Sequence, residues 1–182
     1  MSTTQSSRIL AVEIRASRLG YAAFEIHHLL DFGAAWFESS ATATLRIAGL
    51  LRIFRPTVLV LRRVGLRGPR KIALWKSVAR SAHSEARKLS IPVAHVTERA
   101  FQTYVESNSC RNKYDVAALL ATWFPEIAWR LPPRRKFYQP EARAMLYFDA
   151  AALGAAYMGL AGEKNQKEVN RDGSPFAGPS VA

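Results

Sequence analysis

Glu13 is the residue whose position in the sequence most strongly indicates chemistry. It follows the apolar residues 9–12 and precedes Ile14, in a stretch that has the pattern of a β-strand. A carboxylate inside a buried strand is costly unless it is paired with a cation, bound to a metal ion or used in catalysis. Pairing with Arg15 or Arg63 at a strand edge is the ordinary interpretation, because surface ion pairs are common.

The chain is strongly basic. Its 182 residues include 26 Lys and Arg against 14 Asp and Glu, which gives a net charge of +12. An excess of this size favours a polyanionic partner, most often nucleic acid. Three basic clusters are expected to contact nucleic acid unless they are simply solvated surface: Arg62, Arg63, Arg67, Arg70, Lys71 and Lys76; Arg111 and Lys113; and Arg130, Arg134, Arg135 and Lys136, followed by Phe137 and Tyr138. Arginines interleaved with aromatic residues suit phosphate contact and base stacking, although these aromatics can equally be core residues.

The hydrophobic pattern predicts the elements that carry these residues. Three short apolar runs within residues 8–37 predict an antiparallel meander. Helices are predicted at residues 45–54, 69–89, 97 onward, 114–124 and 141–160, and two further strands at residues 57–61 and 93–96. The order βββαβαβααα predicts an α/β, ribonuclease H-like fold. Its mixed five-stranded sheet would consist of the three-stranded antiparallel meander and two parallel strands, with helices flanking it.

The chain is expected to form one domain with two tails. The domain would cover residues 8–160, between a disordered arm at residues 1–7 and a polar, Gly- and Pro-containing tail at residues 161–182. A single cysteine, Cys110, excludes an intrachain disulfide and a cysteine-based zinc site, which fits the cytoplasm. The apolar stretches are short and interrupted by Arg or Lys, so no membrane association is expected.

Four segments follow the pattern of a known family. In ILAVEIRASRLGYAAF, Ser17, Gly20 and Tyr21 keep the shape of that family's P-G-S-x-x-x-G-Y type turn after its first strand. RIAGLLRIFRPTVLVLRRV is similar to its helix and strand that end in a catalytic glutamate, and IPVAHVTERAFQTYVESNSCRNKYDVAALL to its fourth strand and the helices that follow. YFDAAALGAA is similar to its closing helix. Over roughly residues 8–160 the chain thus resembles the RuvC-like Holliday-junction resolvases of the ribonuclease H-like superfamily.

The resemblance implies an altered active centre. Such nucleases hydrolyse a phosphodiester with two divalent ions, which four carboxylates hold. The four positions correspond to Glu13, Arg62, Asp149 and Ala152, so two acids remain and one lost position is cationic. We expect the Arg62 guanidinium to replace the metal and to bridge Glu13 and Asp149, so that no cofactor is needed. The resemblance also brings Lys113 close to the nucleic-acid backbone.

Three functions follow from this interpretation. The first is a nucleic-acid-binding protein, for DNA rather than RNA and for branched or junction DNA, whose two-metal nuclease centre is impaired or lost. The first alternative is an active endonuclease that uses Mg²⁺ or Mn²⁺, held by Glu13, Asp149 and, as a further candidate, Glu141. The second alternative is a protein-interaction module. The resemblance also implies a homodimer, for which the apolar side of residues 72–86 with Trp75 is one interface, unless Trp75 is core.

Several assignments stay open at the level of sequence. Arg62 and Arg63 point to opposite faces of one strand, so a shift of one residue would bring Arg63 to the centre instead. Asp149 can also be an ordinary exposed helix acid. His83 and His95 are interpreted as plain helix and strand residues, because neither has a second metal-type residue beside it in the sequence.

Overall fold

The computed structural model describes residues 7–15, 17–63, 69–135 and 141–171, and within them the side chains of all but residues 69–71 and 160–171. The strands are β1 (Arg8–Arg15), β2 (Arg18–Glu25), β3 (His28–Trp36), β4 (Val58–Arg63) and β5 (Val93–Thr97). The helices are α1 (Ser40–Phe54), α2 (Pro69–Lys88), α3 (Glu98–Ser107), α4 (Lys113–Trp123), α5 (Pro125–Ala128) and α6 (Met145–Arg171).

The five strands form one mixed sheet in the order β3-β2-β1-β4-β5. β2 pairs antiparallel with both β1 and β3, whereas β4 runs parallel to both β1 and β5. Each parallel connection passes through a helix, because strands that run the same way cannot be joined by a tight turn. The predicted fold class, a ribonuclease H-like α/β fold with a meander and two parallel strands, is confirmed.

The sheet separates two layers of helices. Ile9 and Ala11 of β1 face a core formed with α3, α4, α5 and α6. Leu10 and Val12 face a second core formed with α1 and α2. This alternation follows from the two-residue period of a strand. Glu13 and Arg15 continue the series of Ile9 and Ala11, so both belong to the α6 side of the sheet.

Two helix predictions were wrong at their ends. α1 begins at Ser40 instead of residue 45, because the Ser39 hydroxyl accepts a hydrogen bond from the Thr42 amide and caps the helix early. The last helix begins at Met145 instead of residue 141 and continues past Leu160 to Arg171. Residues 161–171 contain two Glu, two Lys, one Ala, one Gln and one Arg, which are good helix formers, and no proline, which favours continued helix. The short helix α5 was not predicted. The helix predicted from residue 97 onward is α3, which the Thr97 side chain caps.

The apolar side of α2 packs inside the molecule. Val78, Ala82 and Ala86 are fully buried in the core shared with α1, and Trp75 is half-buried against the same core. This packing accounts for the apolar pattern of residues 72–86, and the homodimer stays a prediction. None of the helices in the described ranges is long and apolar enough to cross a membrane.

Candidate functional site

Glu13 and Arg62 lie side by side at the carboxyl ends of two parallel strands. Val12 of β1 pairs with Leu61 of β4, so the next residue of each strand projects to the same side. The Glu13 side chain is buried, with 3% of the residue exposed, and its Oε1 is 3.8 Å from Arg62 Nη1. Arg63 is exposed and its charge acts on His95, on the α2 side of the sheet. Arg62 is therefore the arginine at the centre.

Asp149 reaches the same place from α6, which packs across β1 and β2. It is 6% exposed, and its Oδ2 is 2.8 Å from Arg15 Nη2. Arg15 follows Glu13 by two residues on β1, and its Nε is 3.8 Å from Glu13 Oε1. One guanidinium thus stands between the strand acid and the helix acid.

Two further charged residues complete the site at its solvent side. Glu141, just before α6, accepts hydrogen bonds of 3.3 Å from Arg15 Nη1 at both carboxylate oxygens. Lys113, the first residue of α4, donates to Glu141 Oε1 at 3.1 Å and lies 3.9 Å from Asp149 Oδ1. We call the following set the ion cluster: Glu13, Arg15, Arg62, Lys113, Glu141 and Asp149.

The prediction that Arg62 bridges the two buried acids was wrong. In the described part of the chain, its ion pairs within 4 Å are with Glu13 and with Glu98, the latter at 3.0 Å. Its guanidinium also lies over the Phe101 ring, 4.0 Å from the centroid. The bridge is made by Arg15 instead, since α6 packs chiefly on β1 and β2.

Burial sets the protonation of the two inner acids. It raises the pKa of Glu13 to about 7, with a smaller rise from the Asp149 charge, and the neighbouring cations oppose both. Burial also raises the pKa of Asp149, against the charges of Lys113 and Arg15. At Glu141 burial acts in the same direction, but Lys113 and Arg15 together outweigh it and lower the pKa. The outer acid is therefore firmly ionised, whereas Glu13 titrates near neutral pH.

Three buried polar atoms of the ion cluster make no hydrogen bond within the described ranges: Glu13 Oε2, Arg62 Nε and Asp149 Oδ2. The 2.8 Å approach of Arg15 to Asp149 Oδ2 is an ion pair whose angles are not those of a hydrogen bond. A buried polar group without a partner costs roughly 1–3 kcal/mol. The site therefore keeps unused hydrogen-bonding capacity at its centre.

The residues present do not fit a two-metal centre. Of the four positions implied by the resemblance, Arg62 is a cation and Ala152 has no ligand atom, although Ala152 and Asp149 line the same pocket as that arginine. Within the ranges that the structure describes, no group of three or more His, Cys, Asp or Glu is arranged to hold a metal. A second positive charge about 4 Å from a guanidinium is repelled by roughly 4 kcal/mol at an effective dielectric of 20.

Two pockets adjoin the ion cluster and carry part of the predicted basic surface. The first, of about 230 Å³, is lined by Arg62, Arg111 and Lys113 among others. The second, of about 470 Å³, is lined by Lys113, Arg134 and Arg135 along the segment before residue 136. Exposed cations and a deep acidic centre therefore share one end of the molecule.

The other predicted basic residues are distributed differently. Arg63 and Lys76 lie on the α2 side of the sheet, and Lys76 shares a shallow pocket with His83 and His95. Those two histidines contact each other, with Nε2 atoms 2.8 Å apart. The Arg130 guanidinium lies 3.9 Å from the centroid of the Trp129 ring. Four predicted residues lie outside the described ranges: Arg67, Lys136, Phe137 and Tyr138. Only the backbone is described for Arg70 and Lys71.

Sequence reasoning missed two members of the site. Arg15 was considered as an ordinary partner of Glu13, but not as its link to Asp149. The available signal was its spacing, because residues two apart on a strand share a face. Glu98 pairs with Arg62 from the first turn of α3, where the Thr97 cap marks the start of that helix. Glu141, proposed as a spare carboxylate, is part of the ion cluster.

The order and direction of the five strands, with the helices around them, give the chain a ribonuclease H-like fold of the RuvC resolvase type. Thermus thermophilus RuvC is similar over 85% of this chain and 96% of its own, with 12% identity and a TM-score of 0.63, and 0.62 in its complex with a Holliday junction substrate. The yeast mitochondrial Holliday junction resolvase is similar over 84% of this chain and 78% of its own, with 15% identity and a TM-score of 0.58. No protein-family model matches the sequence, and no curated protein sequence matches it.

Proposed function

We propose that this protein binds branched DNA through its phosphates, and that charged side chains occupy the centre where a two-metal nuclease site would lie. One observation carries the proposal. Arg15 stands 2.8 Å from Asp149 and also contacts Glu13 and Glu141, so the carboxylates that would hold divalent ions are already paired with a cation. Arg62 adds a second positive charge at a position where the family has an acid.

The surface around the ion cluster supports DNA as the ligand. Arg111, Lys113, Arg134 and Arg135 are exposed beside the two pockets. They lie at the carboxyl end of the parallel strands, which is where α/β sheets usually bind ligands. Thermus thermophilus RuvC, which shares the fold, has been captured on a Holliday junction. Phosphate contacts of this kind give affinity that depends strongly on salt.

An active metal-dependent endonuclease is the second candidate, because one observation favours it. Glu13 Oε2 and Asp149 Oδ2 are buried oxygens without hydrogen bonds. Oxygen atoms of this type are the ligands that Mg²⁺ and Mn²⁺ require. Rotation of the Arg15 side chain towards solvent would be needed to free them.

The deciding experiment measures binding and cleavage together. A labelled four-way junction and a linear duplex of matched sequence are incubated with the full chain in Mg²⁺, Mn²⁺ or EDTA. We expect salt-sensitive binding that is the same with and without metal, and no cleavage. Asp149→Asn is tested in parallel, and Asp31→Asn, an exposed strand acid outside the ion cluster, is its control.

Each other result selects a different function. Metal-dependent nicking that disappears in Asp149→Asn but persists in Asp31→Asn would establish the endonuclease. Failure of the wild-type chain to bind either DNA would refute nucleic-acid binding and favour the protein-interaction module on the same fold.

A further inference from the structure

An exposed tryptophan with two arginines beside it lies next to the ion cluster. Trp36 is the last residue of β3 and is 54% exposed. Arg18, its partner in the β2–β3 register, has its guanidinium 4.8 Å from the ring centroid. The Arg143 guanidinium, from the segment before α6, is 5.8 Å from the same centroid. Strand pairing and the start of α6 thus bring one large ring and two cations together.

This group of residues opens directly onto the ion cluster. A cavity of about 220 Å³ is lined by Arg18 and Arg143 together with Arg15 and Glu141. The last two belong to the ion cluster. A polyanion lying along this cavity would therefore touch the Trp36 group and the proposed DNA site at the same time.

The two arginines are available to a ligand. Neither Arg18 nor Arg143 forms an ion pair within 4 Å among the residues that the structure describes. A cation–π contact at an exposed site is weak, so the contacts with Trp36 leave most of the capacity of each guanidinium unused. Arginine without an acid partner beside an exposed aromatic ring is the combination that binds a phosphate and stacks a base.

We propose that Trp36, Arg18 and Arg143 form a second DNA contact, in which the Trp36 ring stacks on a base whose face is not covered by a neighbouring base and the arginines bind the adjacent phosphates. The inference rests on the proposed DNA-binding function and identifies the part of the DNA that is recognised. A base inside a continuous duplex has both faces covered by its neighbours. A ring can stack only where a face is free, which is at a branch point or in a single strand.

The test uses a four-way junction with 2-aminopurine at the branch point and a linear duplex of the same sequence. Trp36→Ala should weaken binding to the junction about 10-fold, as expected for loss of one base stack, and should change duplex binding little. Trp36→Phe keeps an aromatic ring and should retain much of the affinity. The wild-type protein should change the 2-aminopurine fluorescence, and Trp36→Ala should not.

Trp129→Ala is the matched control. Trp129 is 69% exposed and has the Arg130 guanidinium over its ring. Arg18 and Arg143 line the cavity next to the ion cluster, whereas Arg130 lines neither that cavity nor the two pockets. This variant should bind the junction like the wild type. Circular dichroism melting confirms that each variant is folded, and Arg143→Gln is a second, milder probe that should lower the salt slope by about one phosphate contact.

The outcomes separate this inference from the proposed function. If Trp36→Ala and Arg143→Gln bind the junction like the wild type and leave the 2-aminopurine signal unchanged, the Trp36 contact is refuted and DNA binding stands. If the wild-type chain binds no DNA, both are refuted. An equal loss in Trp36→Ala and Trp129→Ala would also overturn the inference, because it would not be specific to this group of residues.

Discussion

At the scale of single residues, Arg15 is the cation that contacts all three acids of the ion cluster. It contacts Glu13, Glu141 and Asp149, two of which are almost completely buried. Two acids held close together in a dry site repel each other and shift towards the protonated form. The arginine offsets part of this repulsion. Its removal would leave Arg62 beside Glu13 and Lys113 beside Asp149, with no cation between the two buried acids.

We therefore expect Arg15→Ala to lower the free energy of unfolding by roughly 2–4 kcal/mol at pH 7.5, because one partner of a buried ion pair is lost. Urea denaturation measures the change. The control is Lys88→Ala, which removes an exposed ion pair with Glu85 at 2.6 Å and should cost at most about 1 kcal/mol. Equal losses in the two variants would contradict the importance of Arg15, and Asp149→Asn should restore part of the stability of Arg15→Ala.

Glu13 predicts a pH dependence of stability. Its pKa in the folded protein is about 7, above the ordinary value of 4.5, so the folded state binds this proton more tightly than the unfolded state. The resulting stabilisation is complete below pH 4.5 and is lost as the pH rises through 7. Its full size is about 3 kcal/mol, because a tenfold difference in proton affinity between the two states corresponds to about 1.36 kcal/mol.

The variant Glu13→Gln lacks this titration, so its stability should fall less than that of the wild type between pH 5 and pH 8. Chemical denaturation of both proteins at a series of pH values measures the difference in their free energies of unfolding. The other titrating groups contribute equally to both proteins, so their effect cancels in this difference. Parallel pH profiles for the two proteins would mean that Glu13 is already ionised at pH 5.

At the scale of elements, the close approach of β2 and α6 holds Asp149 in place. A Cβ atom added to Gly20 would lie 2.6 Å from the Leu146 carbonyl oxygen and 2.7 Å from its Cγ. A contact with backbone cannot be relieved by rotating a side chain, so α6 itself would have to move. A Cβ atom added to Gly154 of α6 would clash with the Phe24 side chain of β2.

We expect Gly20→Ala to destabilise the fold by about 1–3 kcal/mol, as overpacking in a core usually does, and to weaken junction binding because the ion cluster is displaced. Thermal melting and the binding assay measure the two effects. The control is Gly49→Ala in α1, where the added methyl group meets nothing within 4 Å and should stabilise the helix by up to about 1 kcal/mol. A neutral Gly20→Ala would show that α6 can shift without cost.

The elements also mark the limits of what the sequence predicts. Apolar periodicity was enough to locate the five strands and their order along the chain. The resemblance predicted that Glu13, Lys113 and Asp149 belong to one site. The sequence could not show whether Arg15 or Arg62 lies between the two acids, because that depends on where α6 crosses the sheet. The extension of α6 was missed because Gly162 and the polar residues after it read as a tail, although most of them are good helix formers.

At the scale of the whole molecule, the sheet divides the basic residues between two sides. Arg111, Lys113, Arg134 and Arg135 surround the pockets at the ion cluster, whereas Arg63 lies on the α2 side. The net charge of +12 is thus not concentrated on one surface. Only cations that touch phosphates release counterions from DNA, so position and not total charge sets the salt dependence.

We expect Arg135→Gln to reduce the slope of log K against log salt by about one, which corresponds to one phosphate contact. Lys76→Gln removes the same charge on the α2 side and should leave the slope unchanged. Fluorescence anisotropy titrations over a range of NaCl concentrations measure both. An equal change in the two variants would mean that DNA extends over both sides of the sheet.

The guanidinium of Arg15 has a consequence for how such a site responds to its surroundings. A metal ion taken from solution is present only in proportion to its concentration, and a chelator removes it. A cation attached to the backbone has full occupancy at all times. The variable that remains is the proton, because Glu13 titrates at about pH 7. Acidification from pH 8 to pH 6 would protonate Glu13 and make the centre more positive. The charge of this centre would then depend on pH, as the charge of a metal-dependent nuclease centre depends on the magnesium concentration.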